Sequence, residues 1–211
     1  RFIDSMSAYV KADPAKRKER ADAYIKKLEQ LCIDYPENLE AKAFLAVAMY
    51  SNRSQSGGTA SYVALDAIIG QILEKNPMHP CHHYRIHLWD YKKPTLALKS
   101  AILCGQSTPG IAHMWHMPGH TFSRVKRYDD AAWQQAASAR VDHSHMMRDR
   151  VLPDQIHNYA HNNEWCTRNF LNVGRVEDAI ALAQNLITLP RHPKYNTLAR
   201  RGSSSYYGRA R

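Results

Sequence analysis

Apolar and polar positions recur at intervals of three and four along most of this chain. Tyr24, Ile25, Leu28 and Leu31 fall on one helical face, with charged residues between them. Tyr35-Pro36 ends that run, because the residue before a proline is pushed out of helical geometry. A lead-in over residues 1–15 is interrupted at Asp13-Pro14. Further helices are predicted over residues 39–50 and 60–75, the latter stopped by Asn76-Pro77. Residues 51–59 are polar and contain glycine, which predicts a loop.

The sequence then repeats its punctuation: helix, turn, helix, proline. Each second helix carries a small or apolar residue four and seven positions after its first core residue. The sets are Tyr24, Leu28 and Leu31; Leu65, Ile69 and Ile72; Ala97, Ala101 and Cys104; Ala131, Gln135 and Ser138; Ala179, Ala183 and Leu186. Lys126-Arg127-Tyr128-Asp129-Asp130-Ala131 and Gly174-Arg175-Val176-Glu177-Asp178-Ala179 are two copies of one turn and restart.

These columns resemble the tetratricopeptide (TPR) repeat, a helix-turn-helix of about 34 residues with small residues at fixed positions and a proline near its end. The resemblance covers residues 16–190. It implies an all-α fold, a superhelical array of about five TPR-like helical hairpins. One domain over residues 1–195 is expected. Two steps exceed the repeat length. The 51–59 loop accounts for one, and residues 143–154 are expected to be an insertion or a helix extension. Residues 196–211 are basic and are expected to form a flexible tail.

Composition agrees with helix: only 9 Gly in 211 residues, 44% apolar and 23% charged. No apolar run approaches the length of a membrane span. The net charge of +10 is partly local, in Lys16-Arg17-Lys18-Glu19-Arg20 and in the tail. A solvated helix face explains it better than nucleic acid does. Cys32, Cys81, Cys104 and Cys166 form no CxxC pair and no disulfide framework, so each reads as a buried helix residue. No nucleophile elbow, phosphate loop or dinucleotide fingerprint is present. The chain starts at Arg1 rather than Met, as expected of a processed or truncated form.

The chemistry lies in the histidines. His113-Met-Trp-His116-Met-Pro-Gly-His120 places three imidazoles at i, i+3 and i+7. His83-x3-His87-x2-Asp90 and His157-x3-His161-x2-Glu164 are one stripe written twice, two imidazoles and a carboxylate. In TPR arrays the first helices line the concave groove, so the resemblance places all three stripes in one groove. Axes of neighbouring helices about 8–10 Å apart would let these side chains converge. The expected metal ligands are His83, His87, His116, His120, His157, His161, Asp90 and Glu164, with His79, His82 and His113 as alternates. Such a nitrogen-rich set suits Cu, Fe or Zn over Mg or Ca. Met114, Met117, Met146 and Met147 add some weight to Cu.

The segments His116-Met117-Pro118-Gly119-His120 and Tyr159-Ala160-His161-Asn162 also resemble a group of bacterial TPR-like proteins. Members carry His-Met-Pro-x-His in one repeat and Tyr-x-x-His-Asn in the next, and some are joined to redox modules in cell-envelope proteins. The resemblance implies a shared purpose for these histidines and supplies no reaction. The expected function is a multi-histidine metal site in the groove, as a redox or hydrolytic centre or as a structural tie. Asp90, Glu164, Tyr84 and Tyr159 are candidates to move protons there. The alternative is a metal-free interaction scaffold. Its groove would bind an acidic peptide or protein partner through Arg85, Arg124, Arg127, Arg140 and Arg168.

Overall fold

The computed structural model describes residues 2–52, 59 and 61–193, without the side chains of Ala8 and His157. The expected tail at 196–211, and residues 53–58 of the expected loop, lie outside the described residues. Every regular element among the described residues is helical. The chain divides into two units, Arg1–Leu88 and Trp89–Arg211.

The first unit holds α1 (Phe2–Lys11), α2 (Arg17–Asp34), α3 (Leu39–Ser51), α4 (Tyr62–Lys75) and nearly all of α5 (His82–Trp89). The caps follow from sequence. Asn38 accepts from the Ala41 N–H at 3.0 Å and Ser61 from the Ala64 N–H at 3.1 Å, each satisfying a donor that a helix start leaves open. The columns read from the sequence face inward: Leu28, Leu31, Leu65, Ile69 and Ile72 are buried.

One expectation changes. The helix predicted to hold His79 through Asp90 spans only His82–Trp89. His79 lies in the turn before it, where its N–H donates to the Asn76 carbonyl at 3.0 Å. Pro80 disfavours helical geometry at His79, so the helix begins only after it. Asp90 follows the helix, where the N–H groups of Lys92 and Lys93 both close on the Trp89 carbonyl.

The second unit holds α6 (Leu98–Ser107), α7 (Ala112–Arg124), α8 (Tyr128–Asp149), α9 (His157–Asn172) and α10 (Val176–Thr188). Each packs on the next, and α7 also touches α9. Small residues make the close approach: Ala97, Ala101, Cys104, Ala131, Ser138 and Ala179 are buried. Residues 143–149, expected to depart from the repeat length, continue α8 to Asp149.

Two turns are built alike. Lys126 (φ +63°) and Gly174 (φ +77°) both adopt the left-handed region. The next residue's N–H donates back to Phe122 or Phe170, each at 2.9 Å. Its guanidinium covers that same phenylalanine ring, at 4.9 Å for Arg127 and 4.3 Å for Arg175. It also bonds an aspartate three residues on, Asp130 at 2.6 Å and Asp178 at 2.7 Å. The repeated sequence thus yields a repeated turn.

Candidate metal centre

α8 sets the spacing between α7 and α9. The Ser138 hydroxyl donates to the Ala112 carbonyl of α7 at 2.7 Å. On its other side Asp142 accepts from Asn162 of α9 at 2.8 Å, and the Cys166 thiol lies 3.7 Å from the Ala132 carbonyl. Gly119 lets α8 come close to α7, since a Cβ there would sit 2.3 Å from Gln135 Nε2. The glycine of His-Met-Pro-Gly-His therefore makes room for Gln135 beside the histidines.

In that space α7 presents His116 and His120, and α9 presents His161. One ring nitrogen from each lies within 4.8 Å of the other two. His116 Nε2 and His120 Nε2 are 2.8 Å apart. The His116 and His161 ring centroids are 4.7 Å apart. His120 stacks on Trp165 at 4.3 Å, which fixes its plane. His116 is 1% exposed, and His120 and His161 are half-buried beside it.

The environment of His116 determines its tautomer. Gln135 Nε2 donates to the His116 carbonyl at 3.2 Å, which turns Gln135 Oε1 toward the ring. That oxygen lies 2.8 Å from His116 Nδ1 and can only accept. Nδ1 therefore carries the proton and Nε2 keeps its lone pair. Burial pushes the His116 pKa well below 6.5, and the neighbouring His120 and His161 push it the same way. The ring is neutral, the form that binds metals.

The other two imidazoles each lie near a buried carboxylate. His120 Nδ1 lies 3.6 Å from Asp90 Oδ2, and His161 Nδ1 lies 3.6 Å from Glu164 Oε2. Both carboxylates are 3% exposed, and each is held by an arginine: Asp90 by Arg124 at 2.9 Å, Glu164 by Arg168 at 2.6 Å. Of the three imidazoles, His116 has its Nδ1 hydrogen-bonded to an acceptor, at Gln135. Asp90 and Glu164 lie beside the histidines and are not part of the three-nitrogen group.

The donor set fits a transition-metal ion. A tetrahedral zinc with nitrogen ligands at 2.0–2.1 Å needs its donors about 3.3 Å apart. His116 and His120 would separate by roughly half an ångström to admit one, a small rotation of two side chains.

The remaining expected residues lie elsewhere. His83 and His87 belong to the first unit, where their Nε2 atoms are 3.0 Å apart beside Tyr50 and Tyr84. His157 opens α9, but its side chain lies outside the described residues. Two alternates are engaged in local structure. His79 Nδ1 accepts from the Cys81 N–H at 3.1 Å, and its Nε2 lies 3.2 Å from Glu40. His82 Nε2 donates to the Pro77 carbonyl at 2.8 Å. His113 stacks on His116 at 5.4 Å. Burial pushes the thiols of Cys81, Cys104 and Cys166 up to about 12, which removes them as nucleophiles.

Sequence reasoning missed Gln135 and Trp165. Gln135 is the one polar residue in a column with Leu28, Ile69, Ala101 and Ala183, and that departure was its signal. Trp165 carried none.

Of the arginines expected to read an acidic partner, four already face acids of this chain. Arg85 meets Asp66 at 2.7 Å, Arg127 meets Asp130, and Arg124 and Arg168 hold the carboxylates described above. No helix among the described residues is long and apolar enough to cross a membrane.

No protein-family profile matches this chain, and no curated protein matches it.

Proposed function

We propose that the second unit is a metal-binding helical domain, with His116, His120 and His161 as ligands of one divalent transition ion. One observation carries this reading: a ring nitrogen from each of His116, His120 and His161 lies within 4.8 Å of the other two, and His116 Nδ1 is held by Gln135 at 2.8 Å. A ligand histidine almost always has such a partner, which fixes the tautomer and raises the basicity of the ligating nitrogen. Asp90 and Glu164 lie beside the ligands, and Arg124 and Arg168 offset their charge.

Three borderline nitrogen donors suit Zn(II) first, and Cu(II) or Fe(II) next. Three protein ligands leave one position of a tetrahedral ion for water or substrate, where zinc would supply Lewis-acid chemistry. The TPR-like array remains the proposed frame, because the two like-built turns recur with the repeated sequence. The acidic-peptide scaffold has less support, since most of its arginines are already engaged.

The test is zinc titration of the metal-free protein against a chromophoric chelator. One tight site per chain is expected, lost in His116→Ala and in His120→Ala. Wild-type protein that leaves all zinc with the chelator overturns the proposal.

A further inference from the structure

The first unit carries its own pair of apposed imidazoles, on a helix other than those of the proposed metal centre. His83 and His87 lie four apart on α5, so they share a face. Their Nε2 atoms are 3.0 Å apart. The rings meet edge to face, with centroids 4.5 Å apart and planes at 78°. Both residues are half-buried, so each keeps some exposure to solvent.

The rest of the first unit fixes α5 and with it the pair. Ile86 and Leu88 are buried. Arg85 is held by Asp66 of α4 through two bonds, Nε to Oδ1 at 2.7 Å and Nη2 to Oδ2 at 2.9 Å. Such a fork sets geometry as well as adding energy. The Tyr50 hydroxyl of α3 donates to the His87 carbonyl at 3.2 Å, and His82 Nε2 donates to the Pro77 carbonyl at 2.8 Å. A ligand that bridges the two rings therefore has little backbone left to order.

Two imidazoles at i and i+4 on one helix face are a chelating pair, the arrangement that the motif His-Glu-x-x-His uses. In a tetragonal ion, neighbouring donors subtend a right angle. With nitrogens at about 2.0–2.1 Å they stand about 2.9 Å apart. The Nε2 atoms of His83 and His87, at 3.0 Å, already span that edge. Zinc sites take three or four protein ligands, more than this pair offers. Cu(II) takes tetragonal nitrogen and oxygen sites, and it heads the affinity order of the first-row divalent ions.

We infer that His83 and His87 form a Cu(II) site in the first unit, both binding through Nε2, with water in the remaining equatorial positions. The site shares no ligand with the proposed centre at His116, His120 and His161, so either can fail without the other.

The experiment is Cu(II) titration of the full chain with glycine as competing chelator, with bound copper and its coordinated imidazoles read by continuous-wave and pulsed EPR. Because Cu(II) also suits the other centre, wild type is compared with a His116→Ala, His120→Ala double variant. The double variant is expected to keep one equivalent of Cu(II) with two imidazoles in its pulsed spectrum. Adding His83→Gln or His87→Gln is expected to release that copper to glycine. In the wild-type background either substitution is expected to lower copper uptake by one equivalent, a comparison that holds even if the double variant fails to fold by circular dichroism. The inference is overturned if wild-type protein leaves all Cu(II) with glycine, if folded His83→Gln and His87→Gln take up as much as wild type, or if the copper they lose carries a single imidazole. Copper lost in His83→Gln but not in the folded double variant would count against the other centre and leave this one standing.

Discussion

Gln135 grips His116 at two points: Oε1 lies 2.8 Å from the ring Nδ1, and Nε2 donates to the His116 carbonyl at 3.2 Å. The second contact orients the amide, and the first then fixes the ring's proton. A residue on α8 thus decides which nitrogen of an α7 histidine is available.

Gln135→Leu is therefore expected to leave the helices in place and free the tautomer. Loss of such an outer partner typically weakens metal binding about 10–100-fold. Gly119→Ala should act the same way by another route, because its new Cβ would meet Gln135 Nε2 at 2.3 Å and push the amide aside. Competition titration with a chelator measures both. Unchanged affinity in both variants would remove Gln135 from the account.

The two like-built turns differ in how well their left-handed residue suits its backbone. A side chain in that region costs roughly 1–2 kcal/mol, which glycine escapes. Lys126→Gly is expected to stabilise the chain by about 0.5–1 kcal/mol, the gain being partly offset by the greater freedom of unfolded glycine. Gly174→Ala should destabilise it by about 1 kcal/mol or more. Urea denaturation of the two variants should shift the midpoint in opposite directions.

Two buried groups give opposite pH dependences in the metal-free protein. His116 stays neutral when folded, whereas the unfolded chain takes up that proton near pH 6.5. Its contribution is complete above that pH and is lost as the pH falls below it. Asp142 is pushed up from 3.8 to about 6, with burial outweighing the Asn162 hydrogen bond. Between those values the folded chain holds a proton that the unfolded chain releases, so rising pH reduces stability through this window. Asp142→Asn removes that penalty and keeps an oxygen for Asn162. Its melting temperature should exceed wild type at pH 8 and match it at pH 4. An equal gain at both pH values would contradict the assignment.

The helical fold was legible because the core is built from periodic small and apolar residues. Leu65, Ile69 and Ile72, and Ala97, Ala101 and Cys104, are buried as their spacing predicted. The pairing of His116 with His120 was legible for the same reason, since residues four apart on a helix share a face. Other parts were hidden by local competition that spacing does not encode. Pro77 and the Cys81 N–H engage His82 and His79 before any ion could. Asp90 and Glu164 were visible as acids near histidines, but whether such an acid binds an ion or backs a ligand depends on which ring atom faces it. Gln135 was hidden because its role needs Gly119 opposite, a relationship between two helices.

Whether the three imidazoles share one ion is read from an anomalous-scattering map collected at the zinc edge from zinc-loaded crystals. One strong peak is expected about 2.0–2.1 Å from a ring nitrogen of each of His116, His120 and His161. A map with no peak among these rings, while zinc binds elsewhere on the chain, would contradict a shared ion.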